Sequence, residues 1–554
     1  MIYESWAAAV TAADADIPIT NPTLRSIFIR RGIDDEEKFR RFVTPSLDDL
    51  HDSADIHGID HACERIARAI RDDEAIVIYG DYDVDGVTSI VLLQTVLRSL
   101  GADVTFVVPQ RLVDGYGLKT EVLDRVLSGR NVKLVITVDC GITSIEPVRH
   151  AIDRGIDVII TDHHLPPGVL PEAAAVLNPK QPGCTYPFKD LAGVGVAFKL
   201  CCELIRRSGR KISIDSLLKI AAIGTVADVA PLVGENRTIA RLGLDGLAET
   251  RNPGLRALLR RLGLLGRPLR ASDVGFKIGP RINAAGRLAL ADTAIELFAA
   301  ADEQQAWSIC AELDRMNTER QDIERQVRAE ASTQIGGDER ILILAGEGWH
   351  KGVLGLSAGR IAQQWHRPTL MISIDGERCV GSARSIPSIN LHAQLEAVGD
   401  LFTHFGGHEY ACGFSLPAAN LDALRSRLAD QLGQLDESLF RRDATIDGWV
   451  TLAEVDRDFV VTHELLQPFG AGNEQPLFAI RNVHVESKRT FAEDCCELTI
   501  EDGRGRGSAV VWPSVKDLLL HVNGAPLDLL VRIEPDGWSA TGGRLSVADV
   551  RPAE

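Results

Sequence analysis

The chain is predicted to be an α/β protein, with a parallel-sheet domain, a second, smaller α/β domain joined to it by a long helix, and a C-terminal all-β domain. Three observations carry this prediction. Between about Ala75 and Asp162, short apolar runs alternate with stretches of helical periodicity that end in glycine, the pattern of parallel strands with crossover helices. A charged, glycine-free stretch of helical period extends from about Asp302 to Ile335, longer than helices that serve a single core. From about Asp443 onward, short alternating runs are separated by turn residues, as in a small barrel.

The candidate strands of the first domain are AIVIY (75–79), VTFVVP (104–109), KLVITVD (133–139) and DVIITD (157–162). Between them lie TSIVLLQTVLRSLG, LKTEVLDRVLSG and SIEPVRHAIDRG, each with helical spacing. LAGVGVAFKLCCELIRRSG and SIDSLLKIAAIGTVADVAPL read as helices that complete this domain. In the second α/β unit, RILILAG, PTLMIS, RCVGSARS and ACGFSLP read as strands, and LGLSAGRIAQQW and LHAQLEAVGDLF as helices. The domains expected are an N-terminal helical extension over 1–50, the parallel-sheet domain over 51–300, a connecting helix over 301–335, the second domain over 336–436 and the all-β domain over 437–554.

At 554 residues the chain is too long for one hydrophobic core. No apolar run is long enough to cross a membrane, and the N-terminus MIYESWAAAVTAADAD carries acidic residues where a signal peptide carries positive charge, so a cytoplasmic protein without membrane contact is expected. The ten cysteines are scattered and show no CxxC spacing, which argues against a thiolate zinc site and for buried thiols in a reducing compartment. A formal net charge of −18 lowers the expectation of a nucleic-acid partner without excluding one, because phosphate binding needs only a local basic groove or metal ions.

The sequence feature richest in chemistry is GDYDVDG (Gly80–Gly86), which places Asp81, Asp83 and Asp85 directly after the first strand. Asp139 ends the third strand in VDCG, and Asp162-His163-His164 ends the fourth. In an open parallel sheet, ligands bind beyond the carboxyl ends of the strands, so three strand ends deliver acids and imidazoles to one edge. Taken singly, each has a structural reading: Asp139 as a cap, the histidines as a capping pair, and GDYDVDG as an EF-hand fragment, though it lacks the later ligands and follows a strand. Taken together, they form a carboxylate cluster whose mutual repulsion divalent cations would relieve. Hard oxygen donors with one or two imidazoles favour Mn²⁺ or Mg²⁺, and two ions sharing a carboxylate would suit phosphoryl hydrolysis.

GDYDVDG, VDCG, DHH and ADVAPL (Ala227–Leu232) resemble the motifs of the DHH phosphoesterase superfamily, and the chain closely resembles RecJ-type single-strand-specific 5′→3′ exonucleases. The resemblance extends from RGIDDEEKFRRFVTPSLDDLHD through GPRINAAGR (Gly279–Arg287), GWHKGVLGLSAGRIA (Gly348–Ala362), GSARS (Gly381–Ser385) and FGGH (Phe405–His408) to PFGAGNEQP (Pro468–Pro476). It implies a DHH catalytic domain, a DHHA1-type substrate-binding domain and an OB-like single-strand-binding domain. It further implies that Asp83, Asp85, Asp139, His163 and Asp228 are metal ligands with Asp139 the bridge, and that Asp81 and His164 complete the catalytic set, Asp81 as a further ligand. Some relatives carry a ligand histidine two positions before the first aspartate, where Tyr79 stands here.

For substrate, the resemblance points to Arg281, Asn283 and Arg287 of GPRINAAGR, His350, Ser382 and Arg384, to Gly406, Gly407 and His408 of FGGH, and to Arg111 after the second strand. Arginine forks match phosphate oxygens, and paired glycines let backbone approach a ligand closely. The implied activity is metal-dependent hydrolysis of single-stranded DNA from its 5′ end in DNA repair and recombination, by a monomer partnered by single-strand-binding protein and a helicase. The alternatives are a phosphodiesterase for short oligoribonucleotides or cyclic dinucleotides, a pyrophosphatase, and an inactive replication scaffold.

Overall fold

The structure, a computed structural model, describes every residue except 1, 11–14, 112, 128–130, 289–290, 493–494, 522–523, 538, 540 and 554. It divides into two compact units, one formed by Leu50–Phe440 and the other by Met1–Asp49 together with Arg441–Glu554.

In the larger unit, β1 (Ala75–Gly80), β2 (Val104–Val107), β3 (Val132–Val138), β4 (Asp157–Thr161) and β5 (Ala175–Leu177) form an all-parallel sheet in the order β2-β1-β3-β4-β5. The near-continuous apolar runs are explained by burial on both faces. Ile76, Ile78, Leu134, Ile136 and Ile159 enter one core, while Val77, Tyr79, Val135, Val158 and Ile160 enter the other. Helix α1 (Val84–Leu100) starts at the N-cap Asp83 and stops at Gly101, whose φ of 95° is the left-handed C-terminal conformation that glycine adopts without steric cost. Helices α2 (Gly193–Ser208) and α3 (Ile214–Ala227) pack against it. β5 has only three residues, too short for periodicity to reveal it.

After α4 (Gly279–Leu288) comes the long helix α5 (Glu303–Ser332), capped at its start by the Asp302 side chain, which accepts from Gln305 N at 2.8 Å. Its length follows from serving two cores. Ala306, Cys310 and Leu313 pack into the core of the parallel-sheet domain, and Val327 and Ala331 into the core of the second.

That second domain is a sheet of β6 (Leu342–Glu347), β7 (Thr369–Asp375), β8 (Arg378–Arg384), β9 (His404–His408) and β10 (Ala411–Pro417) in the order β9-β10-β8-β7-β6. Helix α6 (Leu354–Trp365) lies against β7 and β8. FGGH lies in the edge strand β9.

In the smaller unit, β11 (Gly448–Trp449), β12 (Phe478–Ala492), β13 (Cys495–Glu501), β14 (Arg506–Val511), β15 (Leu527–Pro535) and β16 (Gly543–Pro552) form a sheet that β12–β15 pairing closes into a barrel. Alternate residues such as Phe478, Ile480, Leu498, Ile500, Leu529 and Val531 fill its interior. The N-terminal segment, read from sequence as a helical extension of its own, shares this unit. Leu24, Ile27 and Phe28 enter the barrel's core, and Ser5–Ala8 pairs in parallel with Asp443–Ile446. Among the described residues, no helix is long and apolar enough to cross a membrane.

Candidate metal centre

The carboxyl ends of β1, β3 and β4 converge, and each acidic side chain there is held by a local feature. Asp83 caps α1, its Oδ1 accepting from Gly86 N at 3.0 Å. Gly86 has to be glycine, because a Cβ there would lie 2.4 Å from the Asp81 carbonyl oxygen. Asp85, in the first turn of α1, is buried and accepts from Gly193 N at 2.8 Å and Val194 N at 2.7 Å, so the N-terminus of α2 cradles its carboxylate. Asp139 has a φ of 58°, which an aspartate tolerates better than most residues. Asp228 ends α3, its N–H bonded to the Gly224 carbonyl at 2.9 Å.

Three overlapping trios each place their donor atoms within 4.8 Å of one another: Asp81 with Asp83 and Asp139, Asp85 with His163 and Asp228, and Asp139 with His163 and His164. His163 Nε2 is 3.2 Å from Asp139 Oδ1 and 4.0 Å from Asp85 Oδ2, and its Nδ1 is 3.9 Å from Asp228 Oδ2. Asp81 Oδ1, Asp139 Oδ1 and His163 Nε2 are buried without a hydrogen-bond partner. Buried polar atoms are ordinarily satisfied, and orphaned oxygens and an imidazole nitrogen aimed at one another are the donor set of a divalent-cation centre.

The electrostatics agree. Burial, and then the neighbouring Asp83 charge, push Asp85 up to about 7 and hold Asp81 well above the carboxylate range. Burial and the charges of Asp85 and Asp83 raise Asp139 well above that range and Asp228 to about 9. Burial followed by the His164 charge lowers His163 to about 3, leaving a neutral imidazole able to ligate. Tyr79, two residues before Asp81, packs in the opposite core and donates to the Gly117 carbonyl at 3.0 Å.

Asp162 anchors the histidines. Its Oδ1 accepts from the His163 and His164 N–H groups at 2.7 and 3.0 Å and lies 2.7 Å from His164 Nδ1, while Oδ2 accepts from Ile142 N at 2.9 Å. The Tyr116 hydroxyl stands 3.1 Å from His164 Nδ1, and Lys180 Nζ donates to the His163 carbonyl at 2.9 Å. Neither Tyr116 nor Lys180 has a motif or periodicity that marks it in the sequence, since both lie on irregular segments between elements.

The second domain meets this centre through β9, where the His408 ring stacks on His164 with centroids 5.9 Å apart and planes at 13°. Gly407 has a φ of 145°, and a Cβ there would lie 2.3 Å from the Ala411 carbonyl oxygen, so strand pairing fixes it as glycine. A Cβ on Gly406 would meet nothing within 4 Å.

The structure also brings together several of the arginines predicted to hold substrate. Burial, and then Arg111, Arg320 and Arg384, lower Arg287 to about 9, and burial and Arg111 lower Arg384. Arg287 Nη1 donates to the Gly352 carbonyl at 3.0 Å and its Nε is an orphan. Arg384 Nη1 donates to Ser382 Oγ at 3.1 Å, Arg111 lies over the Tyr82 ring at 4.8 Å, and His350 Nδ1 accepts from Gly352 N at 3.2 Å. Arg320, on α5 and without a motif signal, is a buried cation beside them. Arg281 is engaged elsewhere, by Asp314 and by the Lys277 carbonyl at 2.8 Å. Asn283 lies half-buried on α4.

Comparison with known proteins places these features in a family. Residues 75–225 match the N-terminal domain of the DHH family, 338–434 the DHHA1 domain and 446–542 the RecJ OB domain. The chain is 36% identical over 490 residues to the single-stranded-DNA-specific exonuclease RecJ of Escherichia coli, covering 84% of each. The chain belongs to the RecJ family. RecJ of Bacillus subtilis is 39% identical over 474 residues, which are 84% of this chain and 60% of that protein, so the chain spans three-fifths of that relative's length. A crystal structure of Thermus thermophilus RecJ in complex with Mn²⁺ superposes with a TM-score of 0.84 at 27% identity, covering 99% of this chain and 80% of that one. All the strand-end donors fall inside the DHH match, with Asp228 three residues beyond it, and Arg384 and FGGH fall inside the DHHA1 match.

Proposed function

We propose that the chain is a metal-dependent, single-stranded-DNA-specific exonuclease that removes nucleotides from the 5′ end and serves DNA repair and recombination. The observation that carries this reading is the set of orphaned buried donors, Asp81, Asp139 and His163, within overlapping trios at the strand ends of a RecJ-family chain. Asp81, Asp83, Asp85, Asp139, His163 and Asp228 would hold Mn²⁺ or Mg²⁺, two ions with Asp139 shared between them. Bound there, divalent cations activate water and polarise the scissile phosphate. Asp162 fixes His163 and His164 from behind, as outer-shell carboxylates do for ligating histidines. His164, with Tyr116 and His408 against it, orients the group at the cleavage point. Arg111, Arg287 and Arg384, with Ser382, neutralise and position the terminal phosphates. Asn283 and His350 flank that anion, Gly406 and Gly407 let backbone approach the terminal nucleotide, and Arg281 steadies α4 against α5.

Membership of the RecJ family and the OB-domain match favour a polymeric single strand over cyclic or short dinucleotide substrates, and the intact donor set favours an enzyme over an inactive scaffold. Single-strand-binding protein and a helicase would present the strand to a monomer in the cytoplasm. The test compares degradation of a long single strand, its duplex and dinucleotides in Mn²⁺. Rapid loss of the single strand alone is expected, and turnover restricted to dinucleotides would overturn the reading.

A further inference from the structure

The outer face of the barrel carries a feature outside the metal centre. Ala479, Leu530 and Ala548 point away from the barrel interior and form a small core of their own with Ala444 and Ile446, covered by Trp6 and Trp449. The N-terminal segment is pinned there by the buried Asp549, which accepts from Ile2 N at 2.7 Å and from Tyr3 N and Trp6 Nε1 at 3.1 Å each. Arginines alternate with the two indoles. Arg551 lies 4.5 Å from the Trp6 ring centre and 5.9 Å from that of Trp449, and Arg481 lies 4.0 Å over Trp449. Asp528 holds Arg551 at 3.3 Å, whereas Arg481 is exposed and has no carboxylate partner among the described residues.

The far half of β12 and its neighbours β13 and β14 differ. There Arg489 of β12 is neutralised by Glu497 of β13 at 2.7 Å, and Arg506 of β14 by Glu486 of β12 at 2.5 Å. In a chain of net charge −18 with only 5% aromatic residues, a row of alternating indole and guanidinium planes ending in an unpaired arginine suits a polyanion that also offers flat rings. Base stacking on aromatic and guanidinium planes, with phosphate contacts from arginine, is how single strands are held without sequence preference.

We propose that single-stranded DNA binds the outer face made by Trp6, Arg551, Trp449 and Arg481, with a base at the Trp449–Arg481 step and phosphates on the guanidinium edges. This rests on the single-strand reading above and names a surface for it. The test uses the full-length protein in chelator, so that no strand is cut, and fluorescence anisotropy of a long oligothymidylate. Arg481→Ala, an exposed position where folding is not at risk, is expected to weaken binding about five- to tenfold and lower the salt slope by about one. Trp449→Leu, checked for an unchanged melting temperature, should weaken binding comparably, and Arg489→Glu should leave it within about twofold. Cleavage of a trinucleotide in Mn²⁺ should be the same in all three variants. Wild-type affinity in Arg481→Ala, or a larger loss in Arg489→Glu, overturns this surface while leaving the exonuclease reading standing. A wild-type protein that binds no oligothymidylate in chelator overturns this surface, and one that also degrades no single strand in Mn²⁺ overturns both.

Discussion

His163 Nε2 lies 3.2 Å from Asp139 Oδ1, and neither buried atom has a hydrogen-bond partner. That spacing is what two ligands of one small cation require, and without the cation two buried lone-pair carriers face each other unsatisfied. Asp139→Asn keeps the shape, and asparagine also tolerates the positive φ of 58° at this position. It removes the charge, so nuclease activity is expected to fall by at least about 10³-fold while the circular dichroism spectrum stays native. Calorimetric titration with Mn²⁺ should show weaker binding or a lost site in the same variant.

Gly193 supplies a steric test of the same centre. A Cβ there would lie 2.6 Å from Asp139 Oδ1 and 2.9 Å from its Cβ. Gly193→Ala therefore has to displace a metal ligand although alanine favours the helix that begins at this residue. Activity is expected to drop about 10²-fold, the scale on which small misplacements act, with little change in melting temperature. A thermal melt and a rate measurement on the same preparation check it.

The pH dependence of the metal-free protein has a definite sign. Asp85 and Asp228 are raised to about 7 and about 9, so the folded state binds more protons than the unfolded chain above the ordinary carboxylate range. The stability these groups contribute is complete below the ordinary carboxylate range and is lost progressively as pH rises from there, through about 7 for Asp85 and about 9 for Asp228. In chelator, the melting temperature should fall across that window. Mn²⁺ should restore it, by a larger increment at the alkaline end, because the ion competes with fewer protons there. Differential scanning fluorimetry at several pH values, with and without Mn²⁺, reads both effects.

Among the described residues Arg287 has one carbonyl partner, an orphaned Nε and cationic neighbours in Arg111, Arg320 and Arg384. A half-buried cation held among like charges destabilises the free protein, and substrate phosphates would relieve it. Arg287→Met, of similar length, is expected to leave the melting temperature unchanged or higher and to raise KM about tenfold or more. Steady-state kinetics beside a thermal melt decide whether stability and binding move in opposite directions.

The sheet and its chemistry were legible because both leave periodic or clustered traces. The apolar runs before GDYDVDG, VDCG and DHH are buried on both faces, and the acids at their ends coincide at one edge. The long helix was legible for the same reason, its period running unbroken across two cores. Features without period were hidden. β5 is three residues long, and FGGH is made an edge strand by pairing with Ala411–Pro417. Tyr116 and Lys180 act from irregular segments. Asp228 has no local signal of its own, since a helix end before a proline looks alike with or without a ligand, and the family resemblance supplied it. The N-terminal segment joins the barrel through contacts more than 400 residues apart in the chain, beyond the reach of any window of sequence.

The central claim is that this carboxylate cluster cuts single-stranded DNA from its 5′ end with a divalent cation. The most direct measurement follows one long single strand, labelled at either its 5′ or its 3′ terminus, incubated with the protein in Mn²⁺ and separately in chelator. The account predicts that the 5′ label appears at once as a mononucleotide, that the 3′ label stays on a steadily shortening strand, and that chelator stops both. Immediate release of the 3′ label, or undiminished degradation in chelator, would contradict it.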